Sequence, residues 1–466
     1  MNKHSISRRS FVGRVAAASA GVMVVPRHVL GGPGFQAPSD TLNVAAIGAG
    51  GMGSSNMSAL TSQNIVAICD VDFERVEGSL MGGDGKLRED RAALQKAYSK
   101  AKRYSDFRKM LDEQQDIEAV VIATPDHVHA VAANRAMKMG KHVYVQKPLT
   151  YTVEESRVLR KTAKETGVVT QMGNQGHSLD DTRRIVELVR GGAIGNVTEA
   201  HIWTNRPKGY WPQGIPRPEE IDPIPESLDW DLWLAGTRYR PYNDIYAPFN
   251  WRGWVDFGAG ALGDMGAHLI DQTYWALELN QPTKIETRHT PWGGPEDDPA
   301  TFPLATITYY EFDRGDGADP FKLTWYDGGL MPATPEEMPA DMQMDPGGGG
   351  LIIGDKGKLL HETYGRNPRL LPESLEEEAT DIPKTMPRVE AESHEMNWAK
   401  ACMGQAEISC PFDYAARLTE TMLLGLVALR AGQPIEYDSA NMKIPSMPDA
   451  EQYLTREYRE GWSLEG

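Results

Sequence analysis

Short apolar runs alternate with segments of helical spacing through the first third of the chain. Residues 42–47 form the first run, and residues 65–69, 117–123 and 142–145 repeat the pattern. A short apolar run bounded by turn residues predicts a buried strand, and strands that alternate with helices predict a parallel sheet. This part of the chain is therefore predicted to be an α/β domain.

A glycine-rich turn follows the first predicted strand directly. Gly48 permits a tight turn, Gly50 lets the backbone approach a pyrophosphate, and Gly53 lets the next helix pack against the strand. The second strand ends in Asp70, which is placed to accept hydrogen bonds from a ribose diol. A glycine turn without a ligand is the alternative. The residues predicted to form the dinucleotide loop are Gly48, Gly50, Gly51, Met52 and Gly53.

The acid at residue 70 also indicates which dinucleotide binds. A carboxylate there would repel a ribose 2′-phosphate, and Asp72 and Glu74 add negative charge before Arg75. We therefore expect NAD rather than NADP as the cofactor.

The third predicted strand, residues 117–123, ends in a turn that contains two histidines. Ligands bind at the carboxyl ends of strands in parallel sheets, so this turn is expected to approach the nicotinamide half of the cofactor. The residues assigned to the cofactor here are Thr124, Pro125, His127 and His129. A metal site at the two histidines is an alternative that has no third ligand nearby in the sequence.

The fourth predicted strand carries the first candidate for chemistry. It continues into Gln146 and Lys147, and Thr152 with Glu155 predicts a capping box that begins the next helix. Lys147 is thereby held at the carboxyl edge of the sheet, where it could hydrogen-bond a substrate hydroxyl and share its proton. Gln146 and Lys147 are expected to contact the cofactor. A surface lysine at a strand end is the alternative.

Tryptophan is absent from the first 200 residues and frequent in the next 100, which indicates that a different domain begins near residue 171. Aromatic faces combined with fixed polar groups suit a carbohydrate pocket. For most of these rings, core packing is the simpler interpretation.

The second candidate for chemistry lies in this later part of the chain. Helical spacing from residue 264 onward places Asp264, His268 and Asp271 on one face. An imidazole held by a carboxylate is a common general acid/base, because the carboxylate fixes the ring tautomer. Two structural interpretations compete: Asp264 could cap the helix, or the three residues could form a hydrogen-bonded core cluster. A metal site would lack a fourth donor.

Elements of a second sheet follow. Residues 302–312 and 321–326 have the pattern of strands, and residues 414–431 have the spacing of a core helix that ends before Gly432. Residues 331–350, rich in Pro, Met and Gly, predict a loop that could cover the cleft.

The N-terminus has the features of an export signal. Arg8 and Arg9 precede an apolar run at residues 12–25, in the pattern of a twin-arginine signal, and a disordered tail is the alternative. The run is too short and alanine-rich to span a membrane stably, and Arg14 interrupts it. We expect a signal and linker at residues 1–40, no integral membrane span, and a periplasmic or secreted protein.

Composition narrows the possible partners. The chain has 466 residues, of which 40% are hydrophobic and 24% charged, as in a globular enzyme of at least two domains. The net charge of −17 argues against nucleic acid and anionic membranes as partners. Only three cysteines occur, so neither a disulfide framework nor a cysteine-based zinc site is expected, and no metal is predicted.

In combination, these motifs resemble those of the Gfo/Idh/MocA oxidoreductases, named for glucose-fructose oxidoreductase and inositol dehydrogenase. The resemblance rests on the glycine turn, on residues 124–129 and 146–148, and on the spacing of Asp264 and His268. It implies a Rossmann dinucleotide-binding domain followed by an α/β domain built on an open mixed β-sheet, which binds substrate and forms homo-oligomer contacts. The predicted domains are the Rossmann domain at residues 41–170 and the second domain at residues 171–466.

The resemblance also implies roles for particular residues. Lys147, Asp264 and His268 match the catalytic lysine, aspartate and histidine of the family. In that reading His268 takes the proton of a substrate hydroxyl, Lys147 polarises its oxygen, and Asp264 orients His268 or the substrate. An acid usually precedes the lysine, and Gln146 stands there in this chain, which removes a charge beside Lys147.

These inferences predict an NAD(H)-dependent oxidoreductase that transfers hydride to or from a hydroxyl carbon of a sugar, cyclitol or glycoside. An NAD-dependent enzyme that cleaves glycosides by transient oxidation and elimination is the alternative. A non-catalytic sugar-binding or scaffold protein would keep the fold without needing Lys147 and His268.

Overall fold

The computed structural model of the protein describes residues 41–315 and 317–465. The predicted export signal and linker at residues 1–40 lie outside the described residues and stay a prediction, which fractionation of cells that express the chain would test. Within the described ranges, no helix combines the length and the apolar character needed to cross a membrane.

Six strands form a parallel sheet in the order β3-β2-β1-β4-β5-β6. The strand order reverses between β1 and β4, and parallel sheets of this kind bind ligands at the carboxyl ends beside that reversal. Apolar residues fill most of the inner strands, since both faces are covered. The strands are β1 (Asn43–Ile47), β2 (Asn64–Cys69), β3 (Lys102–Tyr104), β4 (Ala119–Ile122), β5 (His142–Gln146) and β6 (Thr170–Gly173).

Helices connect these strands and confirm the predicted α/β arrangement. The capping box is present: the Glu155 N–H donates to the hydroxyl of Thr152, whose own N–H donates to Oε2 of Glu155. The same helix ends at Gly167, whose φ of +67° is a conformation that glycine adopts without strain. The helices are α1 (Gly51–Ala59), α2 (Phe73–Gly78), α3 (Ala92–Tyr98), α4 (Phe107–Glu113), α5 (Asp126–Lys138) and α6 (Val153–Thr166).

Eight further strands form a second sheet in the order β13-β12-β11-β7-β10-β9-β8-β14. Strands β7 and β10 are parallel, and the other neighbouring strands are antiparallel, so the sheet is mixed as predicted. Its strands are β7 (Val197–Thr204), β8 (Lys284–His289), β9 (Thr306–Phe312), β10 (Phe321–Tyr326), β11 (Gly348–Gly354), β12 (Lys358–Glu362), β13 (Arg369–Leu371) and β14 (Ile435–Glu436).

A long buried helix joins the two sheet regions. The predicted core helix is confirmed as α13 (Phe412–Ala431), which packs against α6, β8 and α9 (Gly260–Leu269). Most of its buried positions are apolar or small, and the buried Glu420 pairs with Arg157 in α6, so the helix fills the space between the regions. The helices of this region are α7 (Asp180–Arg190), α8 (Trp230–Leu234), α9 (Gly260–Leu269), α10 (Asp271–Ala276), α11 (Ser374–Glu378), α12 (His394–Cys402) and α13 (Phe412–Ala431).

The last part of the chain returns to the parallel sheet. Trp398 in α12 is fully buried and meets the ring of Tyr144 in β5 edge-on, with ring centres 5.7 Å apart. Near the C-terminus, Trp462 packs against Phe107 and lies under the guanidinium of Arg108. From Leu42 onward, the described residues therefore form one compact unit.

The loop predicted to cover the cleft does not do so. Residues 331–350 end in β11, and the methionines among them, such as Met338 and Met344, pack against Trp203 and Leu360. Flexible thioether side chains fill irregular apolar gaps well, so the segment covers the mixed sheet instead of the cleft. The sequence prediction was wrong because composition alone did not identify the surface that the methionines bury.

Candidate active site

A cavity of about 690 Å³ opens at the carboxyl ends of the parallel strands. The glycine turn and the residues after β2 line one end, and aromatic and basic side chains from the mixed-sheet region line the other. Most of the residues singled out in the sequence meet in this space. Those that line it are Gly48, Gly50, Gly51, Met52, Asp70, Thr124, Pro125, Gln146, Lys147, Asp264 and His268.

The glycine turn brings the start of α1 close to β1 and β4. A Cβ on Gly48, which has a φ of +80°, would lie 2.6 Å from the carbonyl oxygen of Ala123. A Cβ on Gly53 would lie 1.8 Å from the carbonyl oxygen of Gly48, so Gly53 serves packing and does not line the cavity. No side chain caps α1, so its first N–H groups stay open for an anion such as a pyrophosphate.

The Asp70 carboxylate accepts hydrogen bonds from the glycine turn and also lines the cavity. Its Oδ2 accepts hydrogen bonds from the N–H groups of Ala49 and Gly50 at 2.8 and 3.2 Å, and its Oδ1 accepts one from Asp72 at 3.1 Å. Burial raises the pKa of Asp70, and these N–H donors oppose the rise. Each carboxylate oxygen can accept two hydrogen bonds, so Oδ1 retains capacity for a ribose hydroxyl.

Arg75 is a cofactor-site residue to which the sequence analysis gave no role. Its guanidinium lines the cavity beside Gly51, where a Cβ would lie 3.7 Å from Nη2. Among the described residues no carboxylate forms a salt bridge with it. Its place in the first turn of α2, directly after the strand that carries Asp70, is the signal that could have identified it.

The two histidines after β4 are structural. His127 is fully buried between the carbonyl oxygens of Phe257 and Trp233, and His129 is buried between those of Pro148 and Thr124. Neither side chain lines the cavity, so the structure does not support their predicted contact with the cofactor. The reason is that α5 begins at Asp126, which turns both rings away from the strand ends and into the protein. The two histidines do not form a metal site either, and no cluster suited to a metal occurs in residues 41–315 and 317–465.

Lys147 and Asp264 form an ion pair across the cavity. Lys147 follows β5 and Asp264 lies in α9; the Lys147 ammonium is 2.7 Å from Oδ1 of Asp264 and also donates to its backbone oxygen at 2.9 Å. Burial opposes ionisation of Asp264, but Lys147 and Arg252 outweigh it and hold the pKa of the carboxyl below its ordinary value. The sequence assigned Asp264 to His268 or the substrate, whereas the structure assigns it to Lys147.

Two arginines complete the cationic surroundings of Asp264. The Arg252 Nε donates to Oδ1 of Asp264 at 3.2 Å, and the Arg206 Nε lies 3.9 Å from Oδ2. Arg252 is covered by the rings of Phe249 and Trp251. Neither arginine could be identified from the sequence, because Arg206 lies in a loop and Arg252 in a short 3-10 helix whose positions only the fold defines.

His268 is neutral, and among the described residues its Nε2 has no hydrogen-bond partner. Burial lowers the pKa of His268 well below its ordinary value, and the charge of Lys147 lowers it further. Its Nδ1 is 3.1 Å from the amide oxygen of Asn174, which follows β6, and the ring of Tyr364 meets it edge-on. With the proton on Nδ1 donated to Asn174, Nε2 carries the lone pair of a general base. Asn174 was not predicted, although its place after a parallel strand could have suggested it.

Asp271 does not belong to this site. Its carboxylate is fully buried, 2.9 Å from Nδ1 of His177, and accepts a hydrogen bond from the hydroxyl of Tyr414 at 2.6 Å. Seven residues of helix separate it from Asp264 by about 10 Å along the axis. The shared helix face was therefore not enough to place Asp271 beside His268, and the core-cluster interpretation holds for this residue.

Gln146 joins the cavity to a buried polar chain. Its amide Nε2 donates to Oδ1 of Asn56 at 3.0 Å, and the Asn56 amide donates to Oε1 of Glu395 at 2.7 Å. Gln146 therefore lines the cavity, as expected for a cofactor contact, and also connects β5, α1 and α12. The residue directly before Lys147 is therefore an amide, Gln146, and the carboxylate in this chain of hydrogen bonds belongs to Glu395.

The cavity residues fit a dinucleotide. The free N–H groups of α1 and the positive charge of Arg75 suit a pyrophosphate, and Asp70 suits a ribose. Lys147, which directly follows β5, and His268, which lies within α9, line the same cavity. Such an arrangement can hold a substrate hydroxyl between a cation and a neutral base next to a bound nicotinamide.

Comparison with known proteins identifies the family. Residues 42–174 match the NAD-binding Rossmann fold of the oxidoreductase family, and residues 183–311 match that family's C-terminal alpha/beta domain. The two matches together cover more than half of the chain. The chain therefore belongs to the Gfo/Idh/MocA oxidoreductase family, and its first domain is an NAD-binding Rossmann domain.

Curated relatives match over shorter stretches. A levoglucosan dehydrogenase of Pseudarthrobacter phenanthrenivorans is 27% identical over 37% of this chain and 36% of its own length. An NADP(+)-dependent scyllo-inositol 2-dehydrogenase of Bacillus subtilis is 27% identical over 34% of each chain. A glycosyl hydrolase family 109 protein of Shewanella pealeana is 28% identical over 41% of this chain and 44% of its own. These alignments span less than half of each relative.

Solved structures share the fold over most of the chain. The WlbA dehydrogenase of Chromobacterium violaceum, solved with NADH and UDP-GlcNAcA, aligns with a TM-score of 0.58 and 15% identity over 86% of this chain and 97% of its own. Levoglucosan dehydrogenase, solved with NADH and L-sorbose, aligns with a TM-score of 0.53 and 17% identity over 85% and 98%. At these identities the likeness establishes the shared fold.

Proposed function

We propose that the protein is an NAD(H)-dependent oxidoreductase that transfers hydride to or from a hydroxyl carbon of a sugar, cyclitol or glycoside. The observation that carries the proposal is the meeting of Lys147 and neutral His268 in one cavity with the glycine turn of the Rossmann domain. The dehydrogenases among its relatives and structural neighbours support the same class of reaction.

Each of these residues has a separate role in alcohol oxidation. Bound NAD would supply the hydride acceptor. Nε2 of His268 takes the hydroxyl proton, and Asn174 keeps that nitrogen unprotonated by accepting from Nδ1. The ammonium of Lys147 donates a hydrogen bond to the same oxygen, and Asp264 fixes its position. In the reverse direction the same groups return the proton.

The products of turnover distinguish the proposed function from its alternative. A dehydrogenase should accumulate a carbonyl product together with NADH or a reduced second substrate. A glycoside-cleaving enzyme, which the match to glycosyl hydrolase family 109 favours, should release sugar and aglycone without net NADH. We expect the first result when a panel of sugars, cyclitols and glycosides is analysed by NADH absorbance and mass spectrometry. Release of an aglycone without any carbonyl product would contradict it.

Cofactor choice gives a separate prediction. NAD should bind at least about tenfold more tightly than NADP, because the Asp70 carboxylate would repel a 2′-phosphate. Asp70→Ala should narrow that difference, since it removes the carboxylate expected at the ribose and keeps Arg75, which lines the same cavity. Calorimetric titration of both cofactors into both proteins measures it, with Glu74→Ala as a control for general loss of negative charge. Equal affinities in the unaltered protein would contradict the prediction.

A further inference from the structure

Three cationic side chains share one carboxylate at the reacting end of the cavity. The Lys147 and Arg252 nitrogens lie 2.7 and 3.2 Å from Oδ1 of Asp264, and the Arg206 Nε lies 3.9 Å from Oδ2. All four side chains are at most 20% exposed. Because His268 is neutral, the cluster formed by these four side chains carries an excess of two positive charges.

Asp126 does not remove this excess. Its side chain is buried behind the cavity lining, where Oδ2 accepts a hydrogen bond from the N–H of Ala259, and burial raises its pKa to about 7. Even when Asp126 is ionised, one positive charge remains unbalanced. The excess is local, since the whole chain carries a net charge of −17.

Of the three cationic side chains, Arg206 interacts most weakly with the carboxylate of Asp264. A separation of 3.9 Å is too long for a hydrogen bond. Its Nη1 donates to the amide oxygen of Asn205 at 2.7 Å, and the guanidinium carbon lies 3.3 Å from the ring centre of Tyr210. The stacking fixes the plane of the guanidinium, and among the described residues its Nη2 has no protein acceptor. A poorly solvated cation without a full partner is costly, so this group is suited to a ligand anion.

The pyrophosphate of the cofactor does not account for this charge. The N-terminus of α1 and Arg75 line the part of the cavity beside the glycine turn, where the phosphates are expected. Arg206 instead lies beside Asp264 and close enough to His268 and Tyr364 for its charge to lower the pKa of both, where the reacting hydroxyl of the substrate must lie if the proposed function is correct. The unmatched cation therefore faces the substrate.

We propose that the substrate is a sugar derivative that carries a carboxylate, and that Arg206 binds this carboxylate while a hydroxyl of the same sugar faces His268. The assignment rests on the proposed function for the hydroxyl and on the charge balance for the carboxylate. The planar fork of an arginine matches a carboxylate with two parallel hydrogen bonds. A phosphate ester offers similar anionic oxygens, so the experiment has to distinguish the two.

Equilibrium binding tests the proposal without requiring turnover. Glucuronate, galacturonate and mannuronate, each with its parent hexose and hexose 6-phosphate, are titrated by calorimetry into the NADH-loaded protein. At least one uronate should bind about tenfold or more tightly than its hexose, since hydrogen bonds between charged partners are the strong ones. Arg206→Gln should abolish that preference.

Two further variants, one conservative and one a control outside the cavity, complete the test. Arg206→Lys retains the charge without the fork and should retain only part of the preference, which provides a result even where Arg206→Gln folds poorly. Arg430 also stacks on an aromatic ring, that of Tyr453, but it is exposed and outside the cavity. Arg430→Gln should therefore leave every dissociation constant unchanged.

The possible outcomes separate this proposal from the proposed function. Equal binding of uronates and hexoses, no binding of any uronate, or a preference that survives Arg206→Gln would overturn it. Tighter binding of hexose 6-phosphates than of uronates would overturn the carboxylate assignment. An Arg206-dependent preference for a uronate without any hydride transfer would support the carboxylate site and contradict the proposed function.

Discussion

Replacing His268 by alanine should lower kcat by about a hundredfold or more while NAD stays bound. The variant loses the neutral imidazole whose Nε2 is the proposed base, and general-base catalysis contributes about 10²–10⁴-fold. Lys147→Ala should have a similar effect, because it removes the cation that polarises the substrate oxygen. Neither side chain lies at the glycine turn, so cofactor affinity should change little. Steady-state kinetics and NAD titration measure the two quantities separately.

A matched histidine serves as the control for this prediction. His289 is exposed at the end of β8 and does not line the cavity. His289→Ala should therefore keep full activity. Unaltered kcat in the His268 or the Lys147 variant would rule out the role given to that residue, whereas loss of bound NAD together with activity would indicate a structural role.

Replacing Asp264 by asparagine should lower the free energy of unfolding by about 3–5 kcal/mol at neutral pH, because it leaves Lys147 and Arg252 without their shared carboxylate. The folded-state pKa of Asp264 lies below its ordinary value. Its stabilising contribution is therefore present above the unfolded-state pKa of about 4 and is lost as the pH falls through the folded-state value. The difference between the two proteins should shrink in acid. Urea unfolding across the pH range measures it.

An exposed ion pair provides the comparison for Asp264. Arg103 lies 3.0 Å from Oε1 of Glu77, and both side chains are about half exposed. Glu77→Gln should change the free energy of unfolding by only about 0–1 kcal/mol, since water screens such pairs. Equal effects of Glu77→Gln and Asp264→Asn would show that the buried pair is not the strong interaction inferred here.

The network around His268 explains why the catalytic groups depend on several parts of the chain. Asn174 holds His268 from the end of β6, and Asp264 holds Lys147 from α9. Each pair therefore joins the parallel-sheet region to the mixed-sheet region. Movement between the regions would separate both pairs at once, so the packing of α13 between them also maintains the site.

The NAD-binding region was predictable because its signals are local. Strand, glycine turn, helix and acid follow one another within residues 42–70, and backbone geometry alone requires Gly48 and Gly53. The capping box at Thr152 and Glu155 is likewise a contact within one turn of chain. Local sequence therefore contained the physical information that these elements needed.

Helix spacing predicted less about which groups meet. Asp264 and His268 do line one cavity, but periodicity could not show that Asp264 would pair with Lys147, 117 residues away. The same spacing grouped Asp271 with them, although its partner is His177. A position on a helix face defines the direction in which a side chain points, and the partner that the side chain meets there depends on the packing of other elements.

The sequence by itself determined the fold of the first domain, its dinucleotide turn and the identity of Lys147 and His268 as candidates, because each follows from short-range geometry. Only the tertiary structure decided that His127 and His129 are buried against backbone carbonyls, that Asn174 orients His268, and that Arg206 lies 3.9 Å from Asp264, too far for a hydrogen bond. These contacts join residues far apart in the chain. Their energies depend on burial and on the number of opposing charges, which exist only once the two regions pack together.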